Sequence, residues 1–326
     1  MPCSLAVFDF EFLFIFLFCC TRMRVAFKHA SWEWRRKVCQ VSNLQMSAES
    51  LYREAESKIN RFFFKDPERA MELFESAAAR FKTEKDYNRA GEAYTRAGDC
   101  AVKCKDKLSA SRSYANAVNA YKKTDMKMAA KLMEVAVNLQ IDNNTLNGAA
   151  RLEKEFAEAL CEAGQPLDAI PHYEKAIQYF SADDMNSQVK ACTSAIARIY
   201  GENDIFDKAL SLYERLGNMS VDGPLRYEAK EFFMRAMLCR LAAVTDDNRI
   251  EKSAEALEAL ETYMIRDKYL KNTREAEFLQ MCTEAVEGAD LEKFETAISL
   301  LEELRMLDEW KTHVLLVVKK NMESIR

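Results

Sequence analysis

Small and aromatic residues return along the chain at offsets of four and three, and the set itself recurs about every twenty residues: Ala70, Phe74, Ala77; Ala90, Tyr94, Ala97; Ala110, Tyr114, Ala117; and further on Ala169, Tyr173, Ala176. These offsets put residues on one face of an α-helix, where alanines allow close approach and the ring fills the groove between neighbours. Each unit therefore predicts one amphipathic helix and its turn. Echoes at Ala129, Met133 and Ala136, at Ala209, Tyr213 and Leu216, and at Ala229, Phe233 and Ala236 carry the array through most of the chain. Units this short cannot bury their apolar face alone, so they must stack.

Two successive units make a helical hairpin of about forty residues, between the tetratricopeptide (TPR) period and the longer HEAT-type period. The expected fold class is all-α: a right-handed, TPR-like helical-hairpin solenoid over residues 46–265, capped by a C-terminal helical bundle over residues 266–326. Function should lie on a surface. Composition agrees, since 49% hydrophobic and 30% charged residues exclude disorder, and eight glycines and five prolines in 326 residues disfavour strand-and-turn architectures. A net charge of −5 gives no sign of nucleic-acid binding, although local patches matter more than the total in an array.

Of ten cysteines, Cys100, Cys161, Cys192, Cys239 and Cys282 stand alone in amphipathic stretches, where cysteine packs as a small apolar residue, and a reducing compartment fits best. Cys100 and Cys104 lie one helical turn apart, but no second pair or nearby histidine completes a zinc set, so no metal and no cofactor are expected.

Residues 1–45 stand apart from the array. Leu5 to Cys20 is apolar apart from Asp9 and Glu11, and Arg22, Arg24, Lys28, Arg35, Arg36 and Lys37 follow. As a membrane anchor the run is short of the roughly twenty residues a span needs, carries a costly acidic pair, and has no basic segment before it. Met46-Ser47-Ala48-Glu49 reads as a natural start, with Ser47 as helix cap and Leu51, Ala55 and Ile59 on one face. Residues 1–45 are thus expected to be a non-native upstream extension, with an anchor or organellar leader as the alternative.

Three further features stand out: Phe62-Phe63-Phe64, the Lys122-Lys123 connector, and Gly223-Pro224-Leu225-Arg226-Tyr227-Glu228-Ala229-Lys230-Glu231-Phe232-Phe233. With the ending Leu307-Asp308-Glu309-Trp310 and Val314 to Lys320, they make the chain from Met46 to Arg326 resemble the α-type soluble NSF attachment proteins. That resemblance implies an adaptor of vesicle fusion and intracellular protein transport, ER–Golgi transport included. It would grip the four-helix SNARE bundle and recruit the hexameric AAA ATPase NSF, which takes the bundle apart. The adaptor itself would do no chemistry, and would be cytoplasmic and peripheral on the cytosolic face of membranes.

Three groups of residues bear on that role. Consecutive helical residues point about 100° apart, so Phe62, Phe63 and Phe64 cannot all enter one core face. One reading exposes a ring for membrane attachment, as the resemblance implies; the other packs two rings on the following hairpin. Basic residues sit near connectors at Lys82, Lys85, Lys122, Lys123 and Arg151, and equivalent positions of stacked repeats line up along one edge or face. The resemblance makes Lys85, Lys122, Lys123 and Arg151 SNARE contacts, with Lys190 displaced by one from another such position, while Thr145, Ala191 and Ala195 stand where basic residues would be. At the carboxyl end, Leu300, Leu301, Leu304, Leu307 and Trp310 suit a closing bundle, and the resemblance gives Glu284, Glu287 and the penultimate Ile325 to ATPase coupling.

Rival functions have less to stand on. Only His29, His172 and His313 are present, with no glycine-rich phosphate loop, so no catalytic activity is expected. The α subunit of a prenyltransferase would carry tryptophans in its repeats, whereas Trp32, Trp34 and Trp310 lie outside the array. A generic TPR-like scaffold for an unrelated helix or peptide is the alternative, since fold does not fix partner.

Overall fold

The computed structural model describes residues 46–60, 66–224, 226–303 and 306–324. Among these residues all regular structure is helical, with fourteen α-helices and two single-turn 3-10 helices. They divide into two compact units, up to Ala129 and from Ala130 onward. The first holds α1 (Ala48–Asn60), α2 (Pro67–Thr83), α3 (Tyr87–Lys103) and α4 (Lys107–Tyr121), each packed on the next, and α5 (Met126–Asp142) crosses the boundary. Its core is built from Leu51 and Ala55 of α1, Leu73, Phe74 and Ala77 of α2, and Ala90, Ala93 and Ala97 of α3, all fully buried.

The recurring alanines are the reason the helices stack so closely. Ala70, Ala77, Ala90, Ala97, Ala110 and Ala117 have no exposed surface. Glycine extends the same device: a methyl group at Gly98 would lie 2.7 Å from the Tyr114 ring of the next helix, and one at Gly91 would lie 2.7 Å from Tyr121. Two rings of α4 thus rest on bare backbone of α3, a proximity that a β-carbon would forbid.

The twenty-residue period comes from the turns as much as the helices. Lys85, Lys105, Asn144, Gly164, Asp184 and Asp204 all adopt positive φ, between 54° and 77°. In the α2–α3 turn, the Asp86 N–H reaches the Phe81 carbonyl at 2.9 Å and the Lys85 N–H reaches the Lys82 carbonyl at 3.2 Å, the double closure of a Schellman motif. The α4–α5 turn departs from this pattern, with no positive φ and with the Thr124 and Asp125 N–H groups both on the Tyr121 carbonyl. Aspartates cap the helices of the first unit: Asp66, Asp86 and Asp106 accept the N–H of Arg69, Arg89 and Ser109 at 3.0–3.1 Å. Each such cap contributes about 1 kcal/mol. The corresponding Thr145, Gln165, Met185 and Ile205 make no side-chain cap, so the middle helices depend on packing.

The second unit continues with α6 (Leu146–Glu162), α7 (Pro166–Ala182), α8 (Asn186–Glu202), α9 (Phe206–Val221), α10 (Ala229–Ala242), α11 (Arg249–Arg266), α12 (Arg274–Gly288), α13 (Leu291–Glu302) and α14 (Glu309–Ser324). A single core extends from Ala197 of α8 to Met322 of α14. Its centre is α10, where Phe233, Met234, Ala236, Met237, Leu238, Cys239 and Leu241 are essentially inaccessible. The last helix folds back onto α8 and α10. Cys100, Cys192, Cys239 and Cys282 are buried free thiols, and no metal-holding group of His, Cys, Asp or Glu occurs among the described residues. None of the described helices is long and apolar enough to cross a membrane.

Candidate functional site

The basic connectors of the first unit converge. Lys85 is the left-handed residue of the α2–α3 turn, which throws its exposed side chain outward beside exposed Lys82. Lys122 ends α4 and is half-buried; Lys123 follows it, exposed. Lys123 then reaches back across the array: its Nζ lies 4.4 Å above the Tyr87 ring and 3.4 Å from the Tyr87 hydroxyl. Tyr87 opens α3, two residues after Lys85, so this cation–π contact sets the α2–α3 and α4–α5 turns side by side. Four lysines from two turns gather at one end of the hairpins. The departing geometry of the α4–α5 turn is what presents two consecutive lysines there.

In the second unit the candidate residues separate. Arg151 is exposed on α6, one turn before Lys154, whose Nζ donates to Gln188 of α8 at 3.2 Å. Lys190 faces the opposite way from Gln188: it is half-buried, ion-paired with Glu228, and 5.2 Å above the Phe232 ring. Its charge is answered within the fold, whereas that of Arg151 faces solvent. Charge is also distributed unevenly along the sequence. Residues 46–129 carry 17 Lys and Arg against 13 Asp and Glu, while residues 130–326 carry 24 against 36.

Glu284 and Glu287 lie three apart on one face of α12, and both are partly exposed. Glu284 accepts from Lys293 at 2.6 Å and Gln280 at 2.9 Å, and these bonds, that from Lys293 foremost, hold its carboxyl below the usual value. Phe62, Phe63, Phe64 and Ile325 lie outside the described residues.

Sequence reasoning missed what fastens the carboxyl-terminal helix. Lys311 of α14 is 1% exposed, with its Nζ 2.5 Å from Glu231 and 3.2 Å from Asp308. Arg235 of α10 completes the group, 3.1 Å from Glu231 and 2.8 Å from Asp308, and stacks 4.9 Å from the Trp310 ring. Trp310 in turn meets Tyr213 edge to face at 5.3 Å and covers Gly201 of α8. Two cations and two carboxylates, more than seventy residues apart in sequence, pair across α10 and α14. No local pattern could have revealed that pairing, although Asp308 and Trp310 were already landmarks.

Comparison with known proteins adds one family and several relatives. The family described as "Soluble NSF attachment protein, SNAP" matches residues 45–323. An alpha-soluble NSF attachment protein of Vitis vinifera is 30% identical over 85% of this chain and 94% of its own length. A beta-soluble NSF attachment protein of Bos taurus is 29% identical over 79% of this chain and 84% of its own. The vesicular-fusion protein SEC17 of Coprinopsis cinerea is 28% identical over 85% of this chain and 96% of its own.

Proposed function

This chain belongs to the soluble NSF attachment protein family, and we infer from that membership that it is an adaptor of vesicle fusion, binding SNARE complexes and recruiting the ATPase NSF to disassemble them. The observation that carries the residue-level reading is the contact of Lys123 with Tyr87, which gathers Lys82, Lys85, Lys122 and Lys123 at one end of the first unit. Clustered positive charge suits an acidic helical bundle, because long-range attraction steers encounter and tolerates several registers. Arg151 is the second contact, from the middle of the array. Lys190 contributes least, since Glu228 already neutralises it. The generic scaffold reading does not account for the family match along residues 45–323.

The second unit carries the ATPase function in this reading. Glu287, with Glu284 already answered by Lys293 and Ile325 beyond the described residues, offers the acidic surface, and the excess of carboxylates after residue 129 supports a basic partner there. NSF acts as a hexamer in this scheme, the adaptor performs no catalysis of its own, and Phe62 to Phe64 attach it to the cytosolic face of membranes. The test is disassembly of a reconstituted SNARE complex by NSF and ATP. Lys122→Glu with Lys123→Glu is expected to weaken bundle binding roughly tenfold at physiological salt; full retention would remove the basic cluster from the mechanism. Changing Phe62, Phe63 and Phe64 to serine should spare disassembly in solution and slow it on liposomes. Equal loss in both assays would instead place the rings in the core.

A further inference from the structure

The α3–α4 turn is the place in the first unit where exposed aliphatic side chains meet clustered lysines. Val102 is 50% exposed and Leu108 65%, although Ala101 and Ala110 beside them are fully buried. Between the two stand Lys103, Lys105 and Lys107, all exposed, with Lys105 at the apex of the turn in the left-handed conformation, φ 60°. Asp106 accepts the Ser109 N–H at 3.0 Å, and Asp99 accepts the Tyr114 hydroxyl at 2.8 Å. The Cys104 thiol is pushed up by burial and by the carboxylates of Glu68, Asp106 and Asp66.

Aliphatic tips ringed by lysine are the chemistry of an interfacial membrane contact. The apolar groups enter the boundary between headgroups and acyl chains, while the ammonium groups meet lipid phosphates and carboxylates. A purely charged partner would give no reason for Val102 and Leu108 to face water. We propose that the α3–α4 turn, through Val102, Lys103, Lys105 and Leu108, is a contact for anionic lipid bilayers. The inference deepens the membrane reading above and rests on it for its setting, but it uses a different connector and no aromatic residue.

Flotation of the full chain with phosphatidylcholine vesicles, with and without phosphatidylserine, tests it. Wild-type protein should bind the phosphatidylserine vesicles more tightly, and Lys103→Gln with Lys105→Gln should lose about fivefold per lysine on them. Val102→Ser with Leu108→Ser should weaken binding to both vesicles. Each pair is expected to leave helicity and binding of soluble SNARE complex unchanged. Wild-type vesicle binding by both pairs would overturn the proposal, as would loss of soluble SNARE-complex binding with vesicle binding intact, which would make the turn a protein contact. The Phe62, Phe63, Phe64 serine variant, run in parallel, separates the two readings. If it alone loses vesicle binding, the aromatic attachment stands and the α3–α4 contact fails; if the turn variants lose binding and it does not, the reverse holds.

Discussion

Close approach of helices in this protein is decided at single small residues. Gly201 of α8 has the Trp310 ring so near that an added methyl group would sit 2.6 Å from it. The ring has nowhere to go, held by Tyr213 on its edge and Arg235 on its face. Gly201→Ala is therefore expected to destabilise the protein by about 1–3 kcal/mol, read as an earlier urea or thermal midpoint. A neutral result would mean that α14 slides at little cost. The buried thiols tell a parallel story, for burial pushes Cys192 up to about 11 and Cys239 up to about 12. Such cysteines are packing residues, as their isolated positions in amphipathic stretches suggest. What the sequence could not expose at this scale is which ring rests on which glycine: Trp310 and Gly201 are brought together by the return of the chain, not by spacing.

Helices here are set by three local devices and one that is not local. The alanine face, the left-handed turn residue and the aspartate cap all act within a few residues, and the alanine face was legible as a twenty-residue rhythm. The clamp of Lys311, Asp308, Glu231 and Arg235 on α14 and α10 acts across the fold. Its pH dependence follows from Asp308. Burial raises the Asp308 carboxyl, but the Lys311 backbone N–H and the charges of Arg235 and Lys311 outweigh it and hold the group below its ordinary value of 3.8. A depressed carboxylate stabilises the fold above that ordinary value, and the contribution disappears as pH falls through the folded one. The wild type should accordingly be more stable than Asp308→Asn near neutral pH, with the difference shrinking once pH drops below about 4. Equal thermal midpoints of the two proteins at neutral pH would show that the clamp adds nothing.

At the scale of the whole chain, charge separates along the sequence while the total conceals it. The excess of cations over residues 46–129 and of carboxylates after them is the separation on which the proposed division between bundle and ATPase draws. Binding of SNARE complex should then weaken steadily as salt rises, with a shallower slope for the Lys122→Glu, Lys123→Glu variant, because fewer screened charges remain to be lost. A salt-independent affinity would point to apolar contacts instead.

The sequence by itself determined the helices, their period, the buried alanine face and the family, since each depends on residues close in the chain or on their order along it. It also named the basic connectors, but not their company. Tertiary structure alone decided that Lys123 reaches Tyr87 while Lys190 is neutralised by Glu228, and that the last helix is fastened to α10 by a four-charge group. The physical reason is that periodicity fixes which face a side chain occupies, whereas a charge is freed or answered by whatever the folded chain brings within a few ångströms of it.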